Sequence, residues 1–155
     1  MKTQLLSTAV FSSSEIQIHY KRPLFDSMKW VTNALDANEI LRQYIDPNII
    51  DVKEHFYVML LNNANRVLGI SLISIGELRG TMVNIKEIFQ LTLLTHADYV
   101  ILAHLHPSGL LKPSDNDIEI TEKIQYGLSL LDVTLLDHLI ITSESFFSFA
   151  NEGLL

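Results

Sequence analysis

The chain contains no cysteine, and that absence excludes disulfides, thiolate zinc clusters, iron–sulfur centres and cysteine nucleophiles. Any metal has to be held by histidine, aspartate and glutamate. Positive charge is scarce too. Eleven basic against eighteen acidic side chains leave a net charge of −7, so no uniform positive field exists to recruit phosphates by counterion release. Direct nucleic-acid contact is disfavoured, leaving a local basic patch or a protein partner as the only routes to one. Long apolar runs are also missing, since nothing approaches the roughly 18 uninterrupted residues of a membrane span. The opening MKTQLLSTAVFSSS is interrupted by Gln4, Ser7 and Thr8 and shows no clear small-x-small cleavage site. A soluble, cytoplasmic protein is expected.

What is present describes a globular chain. The apolar fraction is 48% and the charged fraction 19%, the opposite of a disordered composition. A chain of 155 residues amounts to about one domain and buries roughly 70% of its unfolded surface. Glu15 to Tyr20 alternates polar and apolar residues as an edge strand would, and an exposed edge of that kind invites pairing with a second copy, so a homo-oligomer is expected. Helical spacing runs from Ser27 to Ile45, with Asp36-Ala37-Asn38-Glu39 read as a capping box inside it. His55 to Leu61 and Arg66 to Ser74 read as a β-hairpin around Asn62-Asn63-Ala64-Asn65. Thr81 to Val83 is strand-like, and Asn84 to Glu87 opens a helix that runs to about His96. Asp98 to Ala103 is a short apolar run bounded by polar residues, as a central strand covered on both faces would be. Ser114-Asp115-Asn116-Asp117 caps a helix carrying Ile118, Thr121, Ile124, Leu128 and Leu131. Val133 to Thr142 and Phe146 to Phe149 complete the set as strands. The mixture predicts an α/β (α+β mixed) fold with one mixed sheet flanked by helices.

Of the six histidines, His104 and His106 are the informative pair. Two residues apart at a strand end, their rings share a face while Leu105 points the other way into core. Asp117 follows in the first turn of the next helix, where the helix dipole favours a carboxylate. Folded back, it would join the two imidazoles as a third ligand and leave a tetrahedral Zn²⁺ one open position for water, the layout of a catalytic rather than a structural site. Taken singly, a strand-end His pair is compatible with surface decoration, and Ser-x-x-Asp with an ordinary cap. Their conjunction carries the inference.

His104-x-His106, seven residues, Ser114, two residues and Asp117 together resemble the H-x-H-x₇-S-x₂-D signature of the JAMM (JAB/MPN⁺) metalloprotease superfamily. The flanking HLHPSG and KPSDND are similar to its RadC branch, as are Glu54-His55-Phe56, the Leu-Asn-Asn-Ala-Asn-Arg turn, Glu87-Ile88-Phe89 and Leu136-Asp137-His138. The likeness covers residues 36–153 or so. It divides the chain into an N-terminal extension, residues 1–35, and a RadC-like JAB domain, residues 36–155, with the JAB/MPN-like, cytidine-deaminase-like layering of that superfamily.

The resemblance implies zinc ligation by His104, His106 and Asp117, with Ser114 as a donor near the oxygen of a tetrahedral intermediate. It implies Glu54 as general base, with Glu87 and Glu77 as rivals; Glu87 reads better as a helix cap and Glu77 as a solvated loop residue. The activity implied is hydrolysis of a peptide or isopeptide bond in a substrate the sequence does not name. The alternative is a DNA-repair-associated binding or adaptor module that keeps the metal as a structural or vestigial feature. His19, His55 and His96 are assigned to the surface or to capping. Asp137 and His138 are given structural roles in preference to support of the metal. Two departures stand out: Leu105 replaces the Asn that RadC proteins usually carry between the histidines, and Val-Asn-Ile-Lys precedes Glu87 where the family tends to have a His-Pro-Arg run. Residues 1–35 show no sign of the helix–hairpin–helix segment of longer members.

Overall fold

A computed structural model describes residues 16–76 and 82–155. Among them, five strands form one mixed sheet in the order β2-β1-β3-β4-β5: β1 is Glu54–Leu61, β2 Val67–Gly76, β3 Tyr99–Leu105, β4 Thr134–Ile141 and β5 Phe146–Ser148. All neighbours are antiparallel except β3 and β4, which run parallel. That parallel pair needs a crossover, and it is supplied by the helix α3, Asp115–Ser129. The other two helices are α1, Ala34–Tyr44, and α2, Ile85–Thr95. No helix among the described residues is long and apolar enough to cross a membrane.

The period of two along the strands sorts the core into two layers. Phe56, Val58, Leu60, Val100 and Leu102 pack with Ile88 of α2 and with Ile124 and Leu128 of α3. Tyr57, Met59, Leu61, Ile101, Ala103 and Leu105 pack on the opposite face with Ala37 and Leu41 of α1. Both faces of β3 are therefore covered, which is why its sequence is apolar without alternation. His104 takes the place in register after Val100 and Leu102, on the face toward α2 and α3, while Leu105 is fully buried on the α1 face.

The hairpin forms as expected. Asn62 accepts from the backbone N–H groups of Ala64 and Arg66, and Asn65 takes the left-handed conformation with φ 57°, a conformation that asparagine tolerates well. Arg42 of α1 donates to the carbonyls of Thr142 and Ser145 and so ties that helix to the β4–β5 turn.

Three expectations are corrected. The first helix begins at Ala34, not Ser27, because Asn33 caps it through Asp36 N–H while Asp36 accepts from Thr32, making the 32–36 stretch the start signal. The residues before it turn through a short 3₁₀ segment, Phe25–Ser27, and then Trp30 bridges to Arg66. The expected edge strand does not form: Glu15 lies outside the described residues, and Ile16 to Tyr20 has neither helix nor strand. Alternation alone makes no strand without a partner ladder. The Tyr20 hydroxyl reaches the sheet, donating to the Leu68 carbonyl, and Ile16 is 89% exposed. With that strand goes the ground on which self-association was expected. Thr81 is outside the described residues, and Met82 and Val83 are not in a strand.

Candidate metal centre

Each of the three expected ligands is delivered by a different local device. His104 sits near the end of β3, opposite Phe56 of β1, whose ring stacks on the imidazole at 6.0 Å. His106 follows immediately, its N–H donating to the Ile141 carbonyl, so the chain keeps its extended course for one residue past β3. A turn then folds back: Gly109 N–H donates to the His106 carbonyl, and Gly109 adopts φ +78°, a region that suits glycine. Asp117 arrives in the first turn of α3.

The cap of α3 aims the Asp117 carboxylate. Ser114 Oγ accepts from Asp117 N–H at 3.1 Å, while the Ser114 hydroxyl and backbone N–H both donate to Asp117 Oδ2, each at 2.7 Å. This is a reciprocal capping box. It occupies Oδ2 and turns Oδ1 toward His104 Nε2, 3.3 Å away. Ser114 is thus placed at the site, with its one hydroxyl proton committed to the ligand carboxylate.

Hydrogen bonding also orients the rings. His106 Nδ1 lies 2.6 Å from the Leu110 carbonyl. A carbonyl can only accept, so Nδ1 carries the proton and Nε2 is left with a lone pair. His104 Nε2 faces His106 Nε2 at 2.7 Å. The two imidazole nitrogens and an Asp117 oxygen all lie within 4.8 Å of one another. When the proton of a neutral His104 lies on Nδ1, three acceptor atoms converge and no donor stands among them. Such an arrangement repels itself unless a cation or a proton takes the middle, so the donor set fits a divalent metal bound by two imidazoles and one carboxylate.

Burial and the neighbouring charges shift the three metal-free groups in different directions. Burial pushes His104 down to about 4, against the pull of Asp117. Burial also opposes charge on His106, but the hydrogen bond to Asp117, the Leu110 carbonyl and the charges of Asp117 and Glu54 outweigh it and raise its pKa. Burial would raise Asp117, yet His106, His104 and the two Ser114 donors hold it below the usual carboxylate range.

The site opens into a cavity of about 660 Å³. Glu54, at the first position of β1, lines it together with His104, His106, Ser114 and Asp117. Glu87 does not line it and instead accepts from Asn84 at the start of α2, as a capping residue should. Glu77 lies outside the described residues. Among the other histidines, His96 terminates α2 as expected of a capping residue, but His55 is buried rather than at the surface, its ring stacked with Tyr57 and bonded to the Lys53 carbonyl. Asp137 has the structural role expected of it, accepting from His138 N–H, the Ser148 hydroxyl and Ala150 N–H.

His138 does not keep to the structural role assigned to it. Its Nε2 lies 2.9 Å from His104 Nδ1, and its Nδ1 lies 2.6 Å from the Thr121 hydroxyl. Thr121 was legible only as one more residue on the inner face of α3, and nothing local links His138 to His104. Their meeting depends on the parallel register that sets His138 opposite Leu102.

A family model described as the RadC-like JAB domain matches residues 31–154. The chain belongs to the RadC-like JAB family. A UPF0758 protein of Flavobacterium johnsoniae is 41% identical over 129 residues, covering 82% of this chain and 54% of the relative. One from Clostridium acetobutylicum is 38% identical over 131 residues, covering 84% and 56%. One from Chlorobaculum tepidum is 30% identical over 154 residues, covering 99% and 67%. This RadC-like JAB chain thus spans a little over half the length of the first two relatives.

Proposed function

We propose that the chain is a zinc-dependent metallohydrolase that cleaves a peptide or isopeptide bond, with His104, His106 and Asp117 as the ligands and Glu54 as the general base. The observation that carries this reading is the convergence of three potential ligand atoms at a cavity that Glu54 also lines. Three protein ligands leave a zinc ion an open position, as catalytic sites do. A bound Zn²⁺ supplies a Lewis acid that polarises water and the carbonyl to be cleaved.

The chain's own residues supply the rest. Glu54 lines the same cavity as the three ligands, where its carboxylate can take a proton from the attacking water and pass it to the leaving amine. Ser114, by holding Oδ2, keeps Asp117 turned to the ligand position. Ser114 also lines the cavity. With the Asp117 carboxylate neutralised by a bound metal, the backbone N–H of Ser114 still holds Oδ2, and the hydroxyl can leave it to donate to the substrate oxygen as negative charge develops there. The Phe56 ring on His104 covers one side of the imidazole and limits water there.

The test begins with metal content. Protein purified without chelator should hold close to one zinc per chain, His106→Ala should lose it, and His96→Ala should keep it. A panel of peptide and isopeptide substrates then separates catalysis from metal binding. Glu54→Gln keeps zinc and lowers turnover by about two to four orders of magnitude, the usual contribution of a general base, while Glu87→Gln leaves turnover intact. Zinc binding with Glu54→Gln as active as the parent would overturn the assignment of the base. Stoichiometry near zero after reconstitution would overturn the metal reading altogether.

A further inference from the structure

We propose that Thr121 and His138 are positioning residues that set the tautomer of His104, keeping its proton on Nδ1 so that Nε2 is presented to the metal. The inference rests on the metal site proposed above and adds to it two residues outside the ligand set. It follows from counting protons along one chain of hydrogen bonds. The Thr121 hydroxyl contacts the Asp117 carbonyl four residues back on α3. A carbonyl can only accept, so the single hydroxyl proton of Thr121 goes there. Toward His138, 2.6 Å away, the same oxygen can then only accept, and His138 Nδ1 must carry a proton.

His138 is wholly buried, stacked on Phe149 at 4.7 Å and edge-on to Phe56 at 5.5 Å. Neither hydrogen-bonding partner of its ring, Thr121 or His104, is anionic, so a second proton on this ring would be a buried charge with no direct counterion. A neutral ring protonated at Nδ1 has a lone pair at Nε2. His104 Nδ1, 2.9 Å from that lone pair, must be the donor. The proton of a neutral His104 is thereby fixed on Nδ1, and its Nε2 lone pair faces His106 and Asp117. Reversing the chain would place two acceptors, the Thr121 oxygen and the Asp117 carbonyl, in direct contact with no proton between them.

A metal-binding histidine commonly donates its other ring N–H to a carboxylate, a backbone carbonyl or water. His106 follows that pattern through Leu110. His104 uses another imidazole, whose own tautomer is not fixed by its chemistry and has to be imposed. Thr121 imposes it, and by bonding the carbonyl of Asp117 it links the orientation of His104 to the backbone of another ligand. The relay spans β3, β4 and α3, so the site is set only when all three elements are packed.

The decisive variant is Thr121→Val, which keeps the shape and removes the hydroxyl. His138 then has no acceptor at Nδ1 and is free to move its proton to Nε2, which turns His104 into an acceptor at Nδ1 and puts the His104 proton on the metal-facing nitrogen. Nitrogen and carbon chemical shifts of labelled histidines in the metal-free protein at mildly alkaline pH read the tautomer, and competition with a chromophoric chelator reads Zn²⁺ affinity. The parent should show His104 protonated at Nδ1. Thr121→Val should shift that population toward Nε2 and weaken Zn²⁺ by about 10- to 100-fold, and Thr121→Ser should restore both.

If Thr121→Val does not fold by circular dichroism, His138→Phe carries the same affinity expectation while keeping a ring against Phe149. Unchanged tautomer and unchanged affinity in Thr121→Val, or a Thr121→Ser variant as weak as Thr121→Val, would overturn the proposal. A parent that binds no zinc but shows the tautomer and its loss in Thr121→Val would overturn the metal reading while leaving the relay in place, so the two failures are distinguishable.

Discussion

Ser114→Ala removes one hydroxyl that performs two tasks, and the two separate by experiment. As N-cap it accepts from Asp117 N–H, and as a donor it holds Asp117 Oδ2. Loss of an N-cap hydroxyl costs about 1 kcal/mol, and this term is the same with or without metal. The donor task matters only when Asp117 acts as a ligand. Groups that orient a ligand typically contribute about 10- to 100-fold in affinity. The lower end applies here, because the backbone N–H of residue 114 still donates to Oδ2 at 2.7 Å. At free zinc about 100 times the parent's Kd, the ion stabilises the fold by about 2.7 kcal/mol; a tenfold weaker site leaves about 1.4, a further loss of about 1.3 kcal/mol. Urea unfolding should therefore show a deficit of about 1 kcal/mol in chelator and about 2.3 kcal/mol in zinc, and Ser114→Thr should recover most of both. Equal deficits in the two conditions would refute the claim that the capping box aims the carboxylate. No deficit in either would refute the cap itself.

Three further expectations concern the scaffold. Gly127→Ala, in the last turn of α3, would ordinarily gain up to about 0.5–1 kcal/mol. Its Cβ would run into the Phe89 ring, and overpacking of that kind costs about 1–3 kcal/mol, so denaturant unfolding should find it less stable, and Phe89→Leu should reverse the sign; a stabilised single variant would refute the close α2–α3 approach. His96, exposed at the end of α2 with φ +52°, should become Gly with a gain of about 0.5–1 kcal/mol in the same assay, and a loss would show that its side chain has a task. Burial and the neighbouring Tyr44 push Tyr57 up to about 12 from 10.0. The folded chain then keeps that proton where the unfolded chain releases it, so stability falls as pH rises from 10 toward 12, by up to about 2–3 kcal/mol. Urea titrations across that range should lose this slope in Tyr57→Phe, and equal slopes would refute its assignment to Tyr57.

The site was legible in the sequence wherever its geometry is local. His104 and His106 share a face because strand side chains alternate. Ser114 and Asp117 form a capping box because the first turn of a helix brings such residues together. Glu87 is a cap for the same reason, and the turn at Asn62–Asn65 needs only its own residues. Burial of β3 on both faces was readable as well, since a strand covered twice has no polar side to alternate. Local pattern failed where its meaning depended on a neighbour. The alternation over 15–20 was a strand only if another strand paired with it, and the periodicity from Ser27 to Ile45 was one helix only if no stronger start signal lay inside it.

Tertiary structure decided what crosses between elements. Which glutamate lines the cavity follows from the β1–β3 register, which lays Phe56 against His104 and so brings Glu54 to the same end of the sheet as His104. His138 meets His104 across 34 positions of sequence, and Thr121 meets His138 across 17. Those contacts exist because β3 and β4 run parallel with α3 packed over them, an outcome of the whole core's burial rather than of any short pattern. A residue's ligand chemistry can therefore be read from its type and spacing, but the atom that holds its proton is set by partners the chain reaches only once folded.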